Sequence, residues 1–352
     1  MPEADFSALT CPAPIEERDL IMLAHGSGGR LTGQLLERTI LPALHNPILG
    51  ALDDSALLSL ASGERLAFTT DSYVVKPLFF PGGDIGELAV NGTVNDLSMS
   101  GARALGLSLA FILEEGFAVE SLRRVLASVR RAADRAGVQV VTGDTKVVDR
   151  GKGDGLFVNT AGVGVVPPGV TLGSSRIRPG DAILLSGTIG DHGVAVMAQR
   201  RGLELGGSLR SDTQPLDGLV ATLLDACPAV HALRDPTRGG LAAILAEIAA
   251  RCRLGVEVME SAVPVNDDVR GACELLGLDP WFVANEGKLV AFVPADHAEA
   301  ALAALRSHPY GRDAARIGTI GSARPGTVVV RTLVGGARIL DLPFHEPLPR
   351  IC

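Results

Sequence analysis

Acidic side chains recur in the first half of the sequence at predicted strand ends and loops. They are Asp53, Asp54, Asp71, Asp96 and Asp144. Their neighbours are apolar or small, which is not typical of an ordinary solvated face. Clustered carboxylates repel one another unless a cation lies between them, and Mg²⁺ prefers oxygen ligands and often bridges to nucleotide phosphates. The pattern predicts a magnesium–nucleotide site, and the alternative is that some of these residues only cap strands and form turns.

A second polar feature follows a turn at residues 81–83. Asp84 is predicted to cap a helix, with the side chain three residues later as its capping-box partner. One stripe of that helix is polar at spacings of four, four and three, and it consists of Glu87, Asn91, Asn95 and Ser98. Asp96 lies beside this stripe. If the stripe is buried it should have polar partners, and the alternative is that it faces solvent.

Two glycine-rich segments could bind phosphate. The run Gly26-Ser27-Gly28-Gly29 could direct backbone N–H groups towards an anion, with Gly28 and Gly29 as the candidates. It lacks the full spacing of a dinucleotide fingerprint, and no GxxxxGK[ST] motif occurs in the sequence. The run Asp235-Pro236-Thr237-Arg238-Gly239-Gly240 opens a predicted helix. An ordinary aspartate cap and an anion site remain equally open there.

Three further residues could take part directly in chemistry. Lys146 and Glu286 are charged residues in largely apolar surroundings, although such residues are more often surface charges. Cys352 is the last residue of the sequence. An exposed cysteine is a liability unless it has a function.

The predicted elements alternate between strands and helices, which indicates an α/β or α+β class. The pattern predicts a helix over residues 119–136 and strands over residues 65–71, 138–142 and 156–166 in the first part. Prolines at 167 and 168 suggest a domain boundary. We therefore divide the chain into a leader (1–19), an N-terminal domain (20–167), a C-terminal domain (168–335) and a mobile tail (336–352) that carries Cys352.

Composition excludes several functional classes. The net charge of −8 and the 4% aromatic content argue against nucleic-acid binding. The first 17 residues do not resemble a signal peptide, and the apolar stretch 105–113 is too short to cross a membrane. Five cysteines without a CxxC pair indicate a reduced, cytoplasmic protein.

The ordered motifs resemble those of the HypE family of hydrogenase-maturation proteins, and the resemblance covers nearly the whole chain from about Ile21. The matching segments are Asp53-Asp54-Ser55-Ala56, Thr69-Thr70-Asp71-Ser72, residues 79–86, residues 92–97, Gly143-Asp144-Thr145-Lys146-Val147, residues 235–240 and the terminal Pro349-Arg350-Ile351-Cys352. The wider superfamily includes aminoimidazole ribonucleotide synthetase, selenophosphate synthetase and thiamine monophosphate kinase. All of these use ATP.

The resemblance implies a two-domain fold like that of aminoimidazole ribonucleotide synthetase. The N-terminal α/β sheet would pair across a homodimer into a barrel, and the C-terminal α+β sheet would be covered by helices. ATP and Mg²⁺ would bind in the N-terminal domain. The ligands implied for them are Asp53, Asp54, Asp71, Asn95, Asp96, Asp144 and Asp235. Ser55 replaces an alanine that many relatives carry.

The resemblance also implies a reaction. A carbamoyltransferase partner would load a carbamoyl group on Cys352, and ATP would drive its dehydration to a thiocyanate. The cyano group would then pass to iron on a maturation scaffold for nickel–iron hydrogenase. Glu286 would remove a proton, and Lys146 would orient the amide or hold the oxyanion.

Two other functions remain open at this point. The chain could be a kinase or synthetase that acts on a free small molecule, as in the wider superfamily. Cys11 suggests selenophosphate synthetase only weakly, because proline follows it in the leader that the resemblance does not cover. The chain could also be a carrier of the modified tail without enzymatic activity. ATP turnover that depends on Cys352 would separate these possibilities.

Overall fold

The computed structural model describes residues 20–203, 209–342, 348 and 350–352. The leader predicted at residues 1–19 lies outside the described residues. The strands are β1 (Ala56–Ser59), β2 (Arg65–Tyr73), β3 (Phe79–Phe80), β4 (Gly83–Asp84), β5 (Arg103–Glu114), β6 (Val140–Val148), β7 (Leu156–Val166), β8 (Ala182–Leu185), β9 (Ala232–Arg234), β10 (Gly255–Met259), β11 (Val290–Val293), β12 (Ala315–Gly321), β13 (Val328–Arg331) and β14 (Ala337–Leu340). The helices are α1 (Arg30–Leu35), α2 (Leu41–Leu44), α3 (Ile85–Met99), α4 (Val119–Arg135), α5 (Asp191–Arg201), α6 (Asp217–Ala226), α7 (Gly240–Cys252), α8 (Asp267–Leu276) and α9 (Ala298–Ser307).

The N-terminal domain is a five-stranded sheet in the order β1-β2-β7-β5-β6. Only β5 and β6 are parallel neighbours, and α4 lies between them in the chain as the crossover helix. Helix α3 packs on the sheet and on α4, and it is buried along most of its length. Its first turn is held by Asp84, whose Oδ1 accepts the N–H groups of Gly86 and Glu87. The predicted helix start at Asp84 is therefore confirmed.

The C-terminal domain is a seven-stranded sheet in the order β14-β13-β10-β12-β8-β11-β9. Side chains of β8 alternate between its two faces, as the pleat of a strand requires. Ile183 and Leu185 pack in the core beneath α7, and Ala182 and Leu184 pack in the core beneath α6 and α9. Helices thus cover both faces, and the predicted fold class, α/β followed by α+β, is confirmed. The boundary predicted near residue 168 falls between β7 and β8.

Three details differ from the sequence predictions. The strand predicted over residues 138–142 is β6, which continues to Val148, so Asp144 and Lys146 lie within a strand. The tail predicted from residue 336 begins with β14, which pairs antiparallel with β13. Glu87 forms an ion pair with Arg135 of α4, and this contact replaces its predicted capping-box contact with Asp84. Among the described residues, no helix is long and apolar enough to cross a membrane.

Candidate active site

Four of the predicted metal ligands come from separate segments and meet beside α3. Asp54 precedes β1, Asp71 lies on β2, Asp96 on α3, and Asp235 follows β9. Burial raises the pKa of Asp96 well above its ordinary value, and the charges of Asp71, Asp235 and Asp54 raise it further. The same causes, burial first and then Asp54, raise the pKa of Asp235. The fold therefore concentrates negative charge where the sequence predicted a cation.

Asp54 is held by an arginine that the sequence analysis did not identify. Nε of Arg234 lies 2.9 Å from Asp54 Oδ1, and the two side chains are 7% and 10% exposed. Burial raises the pKa of Asp54 to about 6, although the Arg234 charge lowers it. Asp54 Oδ2 is buried and makes no hydrogen bond. Position 234 directly precedes Asp235 at the end of a buried strand, and that placement was the only signal in the sequence.

Hydroxyl groups orient two of the other carboxylates. The Thr69 hydroxyl donates to Asp96 Oδ2 at 2.7 Å and lies 3.0 Å from the carbonyl oxygen of Asp54. The Tyr73 hydroxyl donates to Asp71 Oδ2 at 3.0 Å. Both hydroxyls belong to β2, so this strand orders two carboxylates on different elements.

The residues fit a hard cation. In the part of the chain that the structure describes, no three histidine, cysteine or acidic side chains stand close enough together to enclose a metal ion. However, the unpartnered Oδ2 of Asp54 and the mutual repulsion of the acidic group are both relieved by a positive charge. Oxygen donors of this kind suit Mg²⁺ when phosphates and waters complete its coordination.

The acidic group should weaken the apoprotein at alkaline pH. Because folding raises the pKa of Asp96, the folded chain binds more protons than the unfolded chain above pH 4, and stability falls as pH rises. We expect Asp96→Asn to raise the free energy of unfolding at pH 8 by on the order of 1 kcal/mol. The gain should disappear near pH 4. Urea denaturation of both proteins across this range measures it, and an equal loss of stability at all pH values would contradict the acidic-cluster assignment.

The two glycine-rich segments lie against each other. Gly28 has a φ of +88°, and a Cβ there would lie 2.9 Å from Arg238 Cβ. Nη1 of Arg238 donates to the carbonyl of Gly26 at 2.9 Å. Gly29 is the N-terminal cap of α1. The structure thus joins the segments that the sequence offered separately as phosphate sites, and their phosphate role stays a prediction.

Asn91, Asn95 and Ser98 of the polar stripe of α3 are buried, so its solvent-facing alternative is wrong, and the two asparagines face the C-terminal domain. The Asn95 amide donates to the carbonyls of Gln214 and Glu286 at 3.1 and 3.3 Å, and its Oδ1 accepts the N–H of Leu216 at 2.8 Å. Asn91 donates to Thr213 at 3.1 Å. Asn95 therefore clamps the two domains, and direct contact between Asn95 and a ligand stays a prediction.

Asp53 is hydrogen-bonded at the domain boundary, and its charge also raises the pKa of Asp54. Its Oδ1 accepts a hydrogen bond from the Ser174 hydroxyl at 2.7 Å. The preceding residue, Leu52, has a φ of +49°, which is uncommon for a side chain of its size. This strained turn sets the direction of the Asp53-Asp54 pair.

Glu286 lies in a second buried charged group. Its side chain is 4% exposed, and Oε1 makes no hydrogen bond. Burial raises the pKa of Glu286 well above its ordinary value, and the charges of Asp212, Asp235 and Asp71 raise it further. Lys288 Nζ lies 3.1 Å from Asp212 Oδ2 and 3.9 Å from Asp191 Oδ2. A buried carboxyl with a raised pKa and a vacant oxygen can act as a general base. The Asp212–Lys288 pair was missed because nothing local marks it.

Asp144 and Lys146 lie apart from this site within one chain. Across the sheet, Asp71 pairs with Thr160, Thr160 with Leu109, and Leu109 with Gly143. Three strand spacings of about 4.8 Å, or roughly 14 Å, therefore separate Asp71 on β2 from the Asp144 segment of β6. The two residues are exposed and form an ion pair of 2.7 Å. That contact, together with the Thr145 N–H, lowers the pKa of Asp144.

The end of the tail lies against both domains. The N–H of Val74 donates to the Cys352 carbonyl at 2.9 Å, and the N–H of Lys76 donates to the Arg350 carbonyl at 3.3 Å. Leu348 and Ile351 are each 1% exposed and belong to the core that contains α3 and α5. Val74 directly follows Tyr73, whose pKa is raised by burial and by Asp71, Glu286 and Asp96. The cysteine-bearing end of the chain thus docks next to the acidic site.

Comparison with known proteins first defines the class. The AIR synthase related protein N-terminal domain matches residues 52–166, and the corresponding C-terminal domain matches residues 178–331. Carbamoyl dehydratase HypE of Azotobacter vinelandii is 53% identical over 332 residues, which cover 94% of this chain and 97% of that protein.

Two solved structures are similar over nearly their full length. Hydrogenase maturation protein HypE in complex with ATP has a TM-score of 0.80 and 51% identity, covering 95% of this chain and 100% of that one. A chain in the HypE–HypF complex has a TM-score of 0.83 and 47% identity, covering 88% and 99%. The chain belongs to the HypE family of carbamoyl dehydratases.

Proposed function

We propose that the protein uses ATP to dehydrate a thiocarbamate on Cys352 to a thiocyanate. The observation that carries this proposal is the docked tail, whose Cys352 pairs with Val74 directly after the tyrosine that contacts Asp71. The relative solved with ATP supports the nucleotide. The reaction is tested by the mass of the tail, because ATP must convert a carbamoyl adduct on Cys352 into a product lighter by one water.

The proposed reaction proceeds in two balanced steps. The thiocarbamate oxygen attacks the γ-phosphorus of ATP, ADP leaves, and one N–H proton is lost. The second N–H proton is then removed, the carbon–oxygen bond breaks with release of phosphate, and carbon and nitrogen form a triple bond. The sulfur of Cys352 stays bonded to the same carbon throughout, and that carbon becomes the carbon of the cyano group. ATP thus allows the oxygen to leave as phosphate, which is a much better leaving group than hydroxide.

The residues of this chain supply binding and proton removal. Glu286 is the proposed base, because its raised pKa and unpartnered oxygen favour proton uptake. Asp54, Asp71, Asp96 and Asp235 are the residues proposed to hold Mg²⁺, and Gly28 and Gly29 lie where phosphate contact is proposed. When bound, the ion offsets the negative charge on the phosphates.

We also propose a homodimer, because one face and one edge of the N-terminal sheet are open to solvent. On that face Phe68 and Ile112 are each more than two-fifths exposed, and Val141 and Val147 of the edge strand are each 65% exposed. Strand β6 is an edge strand and offers unpaired backbone groups. A second copy that pairs along this face would bring its own Asp144 and Lys146 towards the acidic site, which a single chain cannot do.

Mixing two inactive variants tests this shared site. If Asp96 and Asp144 of different copies form one site, Asp96→Ala and Asp144→Ala should each be inactive alone. After the subunits are exchanged, half of the dimers are mixed and each mixed dimer has one intact site, so about a quarter of wild-type ATP turnover should return. A mixture of Asp96→Ala with Asp71→Ala is the control. Each site takes both residues from one copy, so both sites of every mixed dimer are damaged and no activity should return. Failure to recover activity despite confirmed subunit exchange would contradict the shared site.

The partners proposed are a carbamoyltransferase that loads Cys352 and an iron-bearing maturation scaffold that receives the cyano group for nickel–iron hydrogenase. The structure of a relative with HypF supports a loading partner. A reduced, cytoplasmic location fits the cysteines, because the four that the structure describes form no disulfide. The docked end of the tail must leave the core to meet either partner, so its mobility stays part of the proposal.

A further inference from the structure

The last three residues of the tail are held by groups from two domains. Residues 74–76 of the N-terminal domain donate to the carbonyls of Cys352 and Arg350. The carbonyl between them, that of Ile351, points to α5 of the C-terminal domain and lies 2.8 Å from Nε2 of His192. We propose that His192 is a positioning residue that holds the tail in its docked state and so aligns Cys352 for reaction. This inference rests on the proposed function only for its consequence in catalysis.

Hydrogen bonding fixes the state of the imidazole. A carbonyl oxygen only accepts, so Nε2 of His192 carries the hydrogen that it donates to Ile351. Nδ1 lies 2.8 Å from the Ser211 hydroxyl and accepts from it. The Ser211 oxygen in turn accepts the N–H of Thr213 at 3.2 Å. Ser211 and Ile351 together thus hold the docked ring in the tautomer that donates from Nε2.

Among the described residues, His192 is the donor that the structure shows for the Ile351 carbonyl. His192 is fully buried, and Phe80 meets its ring edge-on with the centroids 5.4 Å apart. Ile351 is 1% exposed, so its carbonyl would be left buried without this partner if the imidazole were removed. Burial also lowers the pKa of His192, which agrees with a neutral ring. An unsatisfied buried carbonyl should shift the tail from the docked to the released state by roughly tenfold.

The Ile351 contact differs in kind from those of its neighbours. The Arg350 carbonyl also accepts from Nη2 of Arg200 at 2.7 Å, so it has two donors. His192 supplies a side-chain donor to the one carbonyl that faces away from residues 74–76. Because Ile351 immediately precedes Cys352, fixing its peptide group limits where the cysteine side chain can point.

The first test measures alkylation of Cys352 by iodoacetamide in the full chain without partners, read from the mass of the tail peptide. We expect His192→Leu to accelerate alkylation about tenfold, while His192→Gln, whose amide can still donate, stays within about twofold of wild type. Ser211→Ala retains the ring but frees its tautomer, and it should give a smaller rise. His231→Leu is the matched control, because His231 is also buried in the C-terminal domain but contacts Asp181.

The second test uses carbamoylated protein and ATP. His192→Leu should slow dehydration at saturating ATP with the KM for ATP unchanged, and His192→Gln should restore the rate. Unchanged alkylation in both His192→Leu and Ser211→Ala, or equal acceleration in His231→Leu, would overturn the proposal. If His192→Leu does not fold, Ser211→Ala and His192→Gln decide the question. If alkylation is faster in His192→Leu but the wild-type protein shows no dehydration, the proposed function is refuted and the role of His192 in docking the tail stands.

Discussion

Cys352→Ser is expected to eliminate the cyano product while ATP binding and dimerisation remain intact. Serine could accept a carbamoyl group only as an ester of oxygen, and dehydration of that ester cannot yield a thiocyanate. The substitution changes one atom, and the docking contacts of the backbone carbonyls, of Ile351 and of the Arg350 guanidinium do not use the sulfur. The thiocyanate should therefore be absent, as measured by the mass of the tail peptide after ATP is added to protein exposed to the loading partner. Deletion of Ile351 and Cys352 should have the same effect.

Other cysteines provide the control for this result. Cys227 and Cys273 are buried, and burial raises the pKa of each, to about 11 for Cys273, so neither forms a thiolate readily. Cys252 lies partly buried with its pKa also raised by burial. Cys11, Cys227, Cys252 and Cys273 should each be replaceable by serine or alanine without loss of the chemistry. Product formation that depends on any of these four cysteines would contradict the assignment of the reaction to Cys352.

Glu286→Gln is expected to reduce the rate of dehydration by about a hundredfold or more, the usual contribution of a general base. The glutamine has nearly the same shape, and the hydrogen bond that the Glu286 carbonyl accepts from Asn95 is made by the backbone. ATP binding and carbamoyl loading should therefore persist. Rapid-quench mass measurement should show the carbamoyl adduct accumulating on Cys352.

The pH dependence gives an independent check on Glu286. Burial and the charge of Asp212 raise its pKa, and the base must be deprotonated to act. The wild-type rate should therefore increase with pH through this raised pKa, and Glu286→Gln should lose that limb of the profile. Lys288→Met should move the limb to higher pH, because it removes the positive charge beside Asp212 and leaves the negative charge near Glu286 uncompensated. A wild-type rate independent of pH, together with full activity in Glu286→Gln, would exclude this residue as the base.

Local signals allowed part of the fold to be predicted. Asp84 lies before an apolar run and caps α3 through its own Oδ1, so a few neighbouring residues are enough to locate that helix start. The amphipathic pattern of α4 was equally local. Strand β5 was not predicted, because its apolar stretch fits a buried helix segment as well as a strand. The strand predicted to end before Gly143 continues because its neighbour β5 offers partners as far as Glu114.

Site residues that lie in recurring acidic motifs could be predicted from the sequence. Site residues that are defined by contacts with distant parts of the chain could not. Asp54, Asp71, Asp96 and Asp235 were all identified, and the structure brings them together. Arg234, Lys288 and His192 were missed, since each acts on residues distant in sequence, His192 on Ile351 across 159 positions. No short-range pattern encodes such a contact. Asp144 was identified, but the sequence could not show that it lies on an open edge strand.

The mass of the peptide that ends in Cys352 tests the central claim most directly. The protein is loaded with a carbamoyl group by the partner transferase, and the peptide is weighed before and after addition of ATP. We expect the carbamoyl adduct to lose one water only when ATP is present, and only on Cys352. An adduct that stays unchanged with ATP in folded, fully loaded protein, or a loss of water that persists in Cys352→Ser, would contradict the account.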